Sequence, residues 1–171
     1  MVDRIIQEVN TCLKNECYLS ALGMALTLPD ICGKAKYPTA RTSDRYRKWY
    51  SDYIQEREIP KGPYSEKMPY LSSEVVYSLR NSLLHQGTPE ISCGSIREKR
   101  CKVDKFILVI GEGVTSAGIS LNADNSVASS ELEVDVCSLC GKLTRAAGKY
   151  YNDHPELFNF FNYTIRGLGK M

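Results

Sequence analysis

Three residues on one stretch have the types and spacing to do chemistry together: Arg80, Asn81 and His85, within Leu71 to Gly87, LSSEVVYSLRNSLLHQG. Histidine is the side chain that exchanges protons near neutral pH. Arginine offers a fixed charge and planar donors matched to phosphate oxygens. Asn81, one turn before His85, is placed to orient the imidazole or to hydrogen-bond the same anion. The combination fits acid–base chemistry at a phosphate.

The stretch reads as an amphipathic helix. At about 100° per residue, Leu71, Val75, Val76, Leu79 and Leu83 share an apolar arc, the mark of a helix packed on others. Glu74, Tyr77, Asn81 and His85 form the opposite strip at steps that allow contact. Arg80 lies to one side, about 140° round from His85, and its long side chain reaches a shared ligand. Pro69 before the helix and Gly87 with Pro89 after it are start and stop signals.

Arg80-Asn81-Ser-Leu-Leu-His85 resembles the Arg-X4–6-His motif of the HEPN superfamily, in which a polar residue, often Asn, follows the Arg. The longer string YSLRNSLLHQG is similar to a group of small bacterial HEPN-like proteins. Many HEPN proteins are metal-independent ribonucleases whose motif helix meets its counterpart across a homodimer. The resemblance therefore implies an endoribonuclease that uses no cofactor and no metal. His85 would act as acid and base, Arg80 would stabilise the phosphate and Asn81 would assist. One imidazole cannot easily serve both proton transfers, and a two-fold dimer would supply two. The resemblance also implies an RNA substrate, a toxin–antitoxin or defence role, and an antitoxin or other protein partner.

Other readings of the same residues stay open. A histidine near a helix C-terminus gains from the macrodipole and caps carbonyls, and Arg80 has Glu74 as a potential ion-pair partner. A non-catalytic HEPN-like module that dimerises and binds nucleotide or RNA is the alternative function.

The rest of the chain must position this helix. With 171 residues, 43% hydrophobic, 25% charged and a net charge of +2, it is expected to form one helical domain over residues 1–171 with a core of its own. A near-neutral charge does not by itself announce a nucleic-acid binder. Neither a signal peptide nor a transmembrane run is read, and seven cysteines without regular spacing fit a reducing cytoplasm. No membrane association is expected.

The expected fold is mainly α, an antiparallel HEPN-like bundle. A first helix runs from Val2 to about Leu28 and is ended by Pro29, with a turn-rich connection from Asp30 to Thr39. A second spans about Ser43 to Arg57, with Tyr46, Trp49, Tyr50, Tyr53 and Ile54 as its stripe. Its Arg45 and Lys48, together with Tyr77 and with Arg97 and Arg100 of the basic segment after the motif, are candidate RNA contacts; the plainer reading is a solvated charged face over an aromatic core. A small β-hairpin insertion is expected around residues 105–122, from FILVI and AGISL flanking a Gly111-Glu-Gly113 turn. Asn122 to Ser130 reads as a polar loop and about Val134 to Asn152 as a helix. Its Cys137-Ser-Leu-Cys140 is a lone CxxC, better explained by packing than by metal. A short aromatic helix, about Glu156 to Ile165, closes the chain, and His154 reads as a helix-end residue.

Overall fold

The computed structural model describes residues 1–62, 65–86, 103–111 and 113–160, without the side chains of His85 and Gln86. It is mainly helical with a small three-stranded sheet. Helix α1 (Val2–Lys14) buries Val2 and Val9 and lays Ile5, Ile6, Cys12 and Leu13 against the core. It does not run on to Leu28. Glu16 takes φ 57°, and the chain turns there: the Glu16 N–H donates to Leu13 O at 3.2 Å and the Cys17 N–H to Cys12 O at 2.8 Å. These are the two bonds of a Schellman cap, formed on a residue that is not glycine. A separate helix α2 (Tyr18–Ala25) follows.

Pro29 does not stop a helix either. It occupies the first turn of α3 (Leu28–Lys36), where its missing N–H has no intrahelical acceptor to lose. The expected loop over Asp30 to Thr39 is therefore mostly helix. Cys32, Gly33 and Ala35 face inward from α3. A Cβ at Gly33 would lie 2.6 Å from the carbonyl oxygen of Arg45 on α4 (Thr42–Tyr53). Alanine normally favours a helix over glycine, yet the α4 backbone cannot yield at that distance. Gly33→Ala is expected to lower stability by about 1–3 kcal/mol, the usual cost of overpacking, read as a reduced denaturation midpoint in urea.

Helix α4 follows its periodicity. Tyr46, Trp49 and Tyr50 are fully enclosed and Ile54 nearly so, and the Tyr50 hydroxyl donates to Leu71 O at 3.0 Å. A 3₁₀ turn (Gln55–Glu58) extends it. Helix α5 (Ser73–Asn81) starts at Ser72, whose side chain accepts from Val75 N, the preferred N-cap arrangement. Val75, Val76 and Leu79 are buried, as the apolar arc requires. Beyond Asn81 the helix widens into a π turn (Ser82–Gln86).

Strands do form at both ends of the expected hairpin, but they do not pair with each other. Strands β1 (Lys105–Val109) and β2 (Ser116–Leu121) flank a third, β3 (Val127–Asp135), in the order β1-β3-β2. β1 runs parallel to β3, with Lys105 opposite Glu131 and Val109 opposite Asp135. β2 is antiparallel to β3, and the hairpin turn is Asn122 to Ser126 with Asn125 at φ 61°. The segment read as a polar loop thus begins the central strand. Ser130, Leu132 and Val134 are its buried face, and Ser130 is satisfied there by Asp104, whose Oδ2 accepts its N–H at 2.9 Å.

Asp135 ends β3 and caps α6 (Val136–Asp153), its Oδ1 accepting from Ser138 N at 2.6 Å and its Oδ2 from Gly111 N at 2.9 Å. One buried carboxylate therefore joins sheet to helix. Leu139, Cys140, Leu143, Ala147 and Tyr150 form the inner face of α6, which packs on α1, α2 and α3 while α4 packs on α3 and α5. A short 3₁₀ turn, Pro155–Phe158, stands in place of the start of the expected aromatic helix, whose residues 161–165 lie outside the described residues. No described helix is long and apolar enough to cross a membrane.

Candidate functional site

Arg80 and Asn81 close the last turn of α5 as a pair: Arg80 Nη1 donates to Asn81 Oδ1 at 2.9 Å. The next five residues, including position 85, continue as the π turn. Its i→i+5 bonding makes a wider turn that advances fewer degrees per residue, a form often found at functional sites. Position 85 therefore lies less far round from Arg80 than the 140° of a straight α-helix. The His85 side chain lies outside the described residues, as do Arg97 and Arg100.

The polar strip of α5 is not an open face. Arg47 of α4 reaches over it, with Nε 2.7 Å from Glu74 Oε2 as an ion pair rather than an aligned hydrogen bond, and with its guanidinium 4.6 Å from the Tyr77 ring centre. Tyr77 also meets the Tyr46 ring edge to face, centroids 5.2 Å apart. Glu74 and Tyr77 are thereby committed to the α4–α5 contact, and both are largely covered. The Nε of Arg80 is shut off from solvent. Beside this cluster lies the Tyr46 hydroxyl, fully enclosed and without a hydrogen-bond partner among the described residues. Burial pushes its phenol well up, against the pull of the Arg80 charge.

Of the two α4 cations singled out by sequence, Arg45 is spent. Its Nε bonds Asp30 Oδ1 at 2.8 Å, both side chains less than a quarter exposed, and the pair ties α4 to α3. Lys48 stays exposed, its Nζ 5.7 Å from the Tyr37 ring centre. Neighbouring Lys36 Nζ donates to Asp52 Oδ2 at 2.6 Å, and the Tyr37 hydroxyl donates to the same oxygen. Partial burial opposes ionisation of Asp52, but these bonds and the nearby positive charge prevail and hold its carboxyl below the usual range.

A lowered folded pKa stabilises at pH above the unfolded value of about 3.9, and the contribution disappears as pH falls through the folded value. Asp52→Asn is therefore expected to lower stability at pH 7 and to flatten its decline below about pH 4. Urea midpoints measured across that range, compared with wild type, check this.

The surroundings of the cysteine pair disfavour the thiolate form. Burial pushes the Cys140 thiol up to about 12 and raises that of Cys137, so neither is a ready thiolate. Among the described residues no three His, Cys, Asp or Glu side chains are placed to hold a metal ion.

A cleft of about 600 Å³ lies away from the motif, between the end of α4 and the outer face of α6, with Arg57, Arg145 and His154 among its walls. Sequence reading did not select it. Its one early signal was the α6 run Lys142, Arg145, Lys149 at helical spacing. The chain matches no family model, no curated protein and no solved structure.

Proposed function

We propose that this chain is a cytoplasmic, homodimeric, metal-independent endoribonuclease of HEPN-like type, its helices forming an antiparallel HEPN-like bundle. The observation that carries the reading is the Arg80–Asn81 pair at the end of α5, followed at once by a π turn that contains position 85. The pair supplies donors for a phosphate, and the motif's histidine follows on the adjoining turn. In the proposed reaction one His85 removes the 2′-OH proton, the 2′ oxygen attacks phosphorus, and Arg80 offsets the charge of the crowded phosphorane. The P–O5′ bond then breaks as the partner protomer's imidazolium, protonated at the outset, gives its proton to the leaving oxygen. The products are a 2′,3′-cyclic phosphate and a 5′-OH.

A second reading, a non-catalytic HEPN-like module that dimerises and binds RNA, nucleotide or a protein such as an antitoxin, is favoured by one feature. The Nε of Arg80 is closed off from solvent beside Tyr46 and Tyr77, as suits an arginine that braces the helix end. The test is incubation of the dimer, without metal, with an RNA oligonucleotide and its all-deoxy counterpart. Ribonuclease action predicts that the RNA is cut and the DNA survives. RNA retained intact in a stable complex would instead establish the binding module.

A further inference from the structure

The turn between α1 and α2 carries an inference independent of the RNA-cleavage reading. Its cap bonds, from the Cys17 N–H to Cys12 O at 2.8 Å and from the Glu16 N–H to Leu13 O at 3.2 Å, fix the position of each residue in the motif. Cys12 and Cys17 fall at the two places whose side chains meet across a Schellman cap, a contact that is ordinarily apolar. Here both places hold cysteine. Covalent geometry adds about 2.4 Å from Cys12 Cα to its O and about 1.5 Å from Cys17 N to its Cα, so the 2.8 Å bond keeps the two Cα atoms within about 6.7 Å. Disulfides span about 4.4–6.8 Å between Cα atoms. The cap therefore already holds the backbone within bridging distance.

Packing accounts for one of these thiols and not for the other. Cys12 is partly buried against the core, where a small apolar side chain is at home. Cys17 is exposed, whereas Cys32, Cys137 and Cys140 are buried or partly covered. The Cys17 thiol donates to Asn15 O at 3.4 Å, a weak bond that a rotation about χ1 releases. An oxidant in solvent thus meets Cys17 first, with Cys12 directly behind it.

We infer that Cys12 and Cys17 are a reversible oxidation site, closed to a disulfide by a peroxide. The Cys17 thiolate attacks one oxygen of hydrogen peroxide, the O–O bond breaks, hydroxide leaves and Cys17 becomes a sulfenic acid. The Cys12 thiolate then attacks the Cys17 sulfur, and the S–O bond breaks as a second hydroxide leaves. The two thiol protons turn both hydroxides into water: the sulfurs are oxidised and the peroxide is reduced. Thiol exchange reverses the bond, so in a reducing compartment it is transient.

The experiment treats the reduced full chain with hydrogen peroxide and blocks the remaining thiols with N-ethylmaleimide. Tryptic peptides are then mapped by mass spectrometry without reduction. Cleavage after Lys14 separates the two cysteines, so the expected product is peptide 5–14 joined to peptide 15–34. Its mass is two hydrogens below the sum of the two, and dithiothreitol splits it. The second peptide also contains Cys32, and fragment spectra place the link on Cys17. In concentrated urea the cap is lost and the link is expected to form roughly ten-fold more slowly, because loop closure is no longer provided by the fold. Cys12→Ser, checked for folding by circular dichroism, is expected to leave Cys17 as a sulfenic acid that dimedone traps. Overturning results are Cys12 fully blocked by the maleimide after peroxide, Cys17 linked to another cysteine, or a link that forms equally fast in urea.

Discussion

His85→Ala is expected to lower RNA cleavage by about 10²–10⁴-fold, the range associated with a positioned acid–base group, while the melting temperature stays close to that of wild type. The first expectation follows from the chemistry. Water at neutral pH is a poor base for a 2′-OH and a poor acid for a leaving alkoxide, and no charge supplied by Arg80 replaces a proton transfer. The second follows from position. Residue 85 falls in the π turn beyond α5, past Val75, Val76 and Leu79, which bury the helix. The comparison needs single-turnover rates with protein in excess, so that weakened RNA binding and a slowed chemical step separate. A drop in affinity with an unchanged rate of the bound complex would reassign His85 to recognition.

Trp49→Ala is expected to have the largest effect on stability. The indole is fully enclosed, stacked on Tyr53 at 5.1 Å and edge-on to Tyr150 at 6.0 Å. It joins α4 to α6. Deleting a buried Trp typically costs about 3–5 kcal/mol, which in a domain of this size lowers the melting temperature by roughly 6–20 °C. Its Nε1 has no hydrogen-bond partner among the described residues, so the ring's contribution there is packing. Trp49→Phe is accordingly expected to recover much of the loss, since it keeps an aromatic ring and removes an unpaired donor. Calorimetric melting of both variants checks this order.

Where sequence and structure agree, the cause is periodicity. The α4 stripe Tyr46, Trp49, Tyr50 and Ile54 and the α5 arc Val75, Val76 and Leu79 are buried as their 3.6-residue spacing requires, whereas Leu71, also buried, lies in the extended segment before the Ser72 cap. Where they differ, a single local choice decided the matter. The break after α1 rests on Glu16 in a left-handed conformation, for which glycine is the usual signal. Pro29 marks a beginning where it was read as an end. The central strand was hidden because Ser129 and Ser130 look like loop and Val134 also suits the helix that follows. Its alternation of Leu132 and Val134 with Glu131 and Glu133 was present but short.

The site was legible in its residue types and less so in its surroundings. A helical wheel shows Glu74 and Tyr77 on a polar face, but it does not contain α4, whose Arg47 and Tyr46 cover them. Arg45 looked available for phosphate until α3 brought Asp30 against it. The cleft lined by Arg57 and Arg145 draws on segments far apart in the chain, so the helical spacing of Lys142, Arg145 and Lys149 marks a basic face of α6 but not the wall opposite it.

The most direct test of the central claim is end-group analysis of RNA treated with the wild-type protein in EDTA. Chemistry by 2′-OH attack predicts fragments ending in 2′,3′-cyclic phosphate with 5′-OH partners, and no cut at a position carrying a single 2′-deoxy substitution. Fragments bearing 3′-OH and 5′-phosphate ends, or no cleavage at all by folded protein, would contradict it.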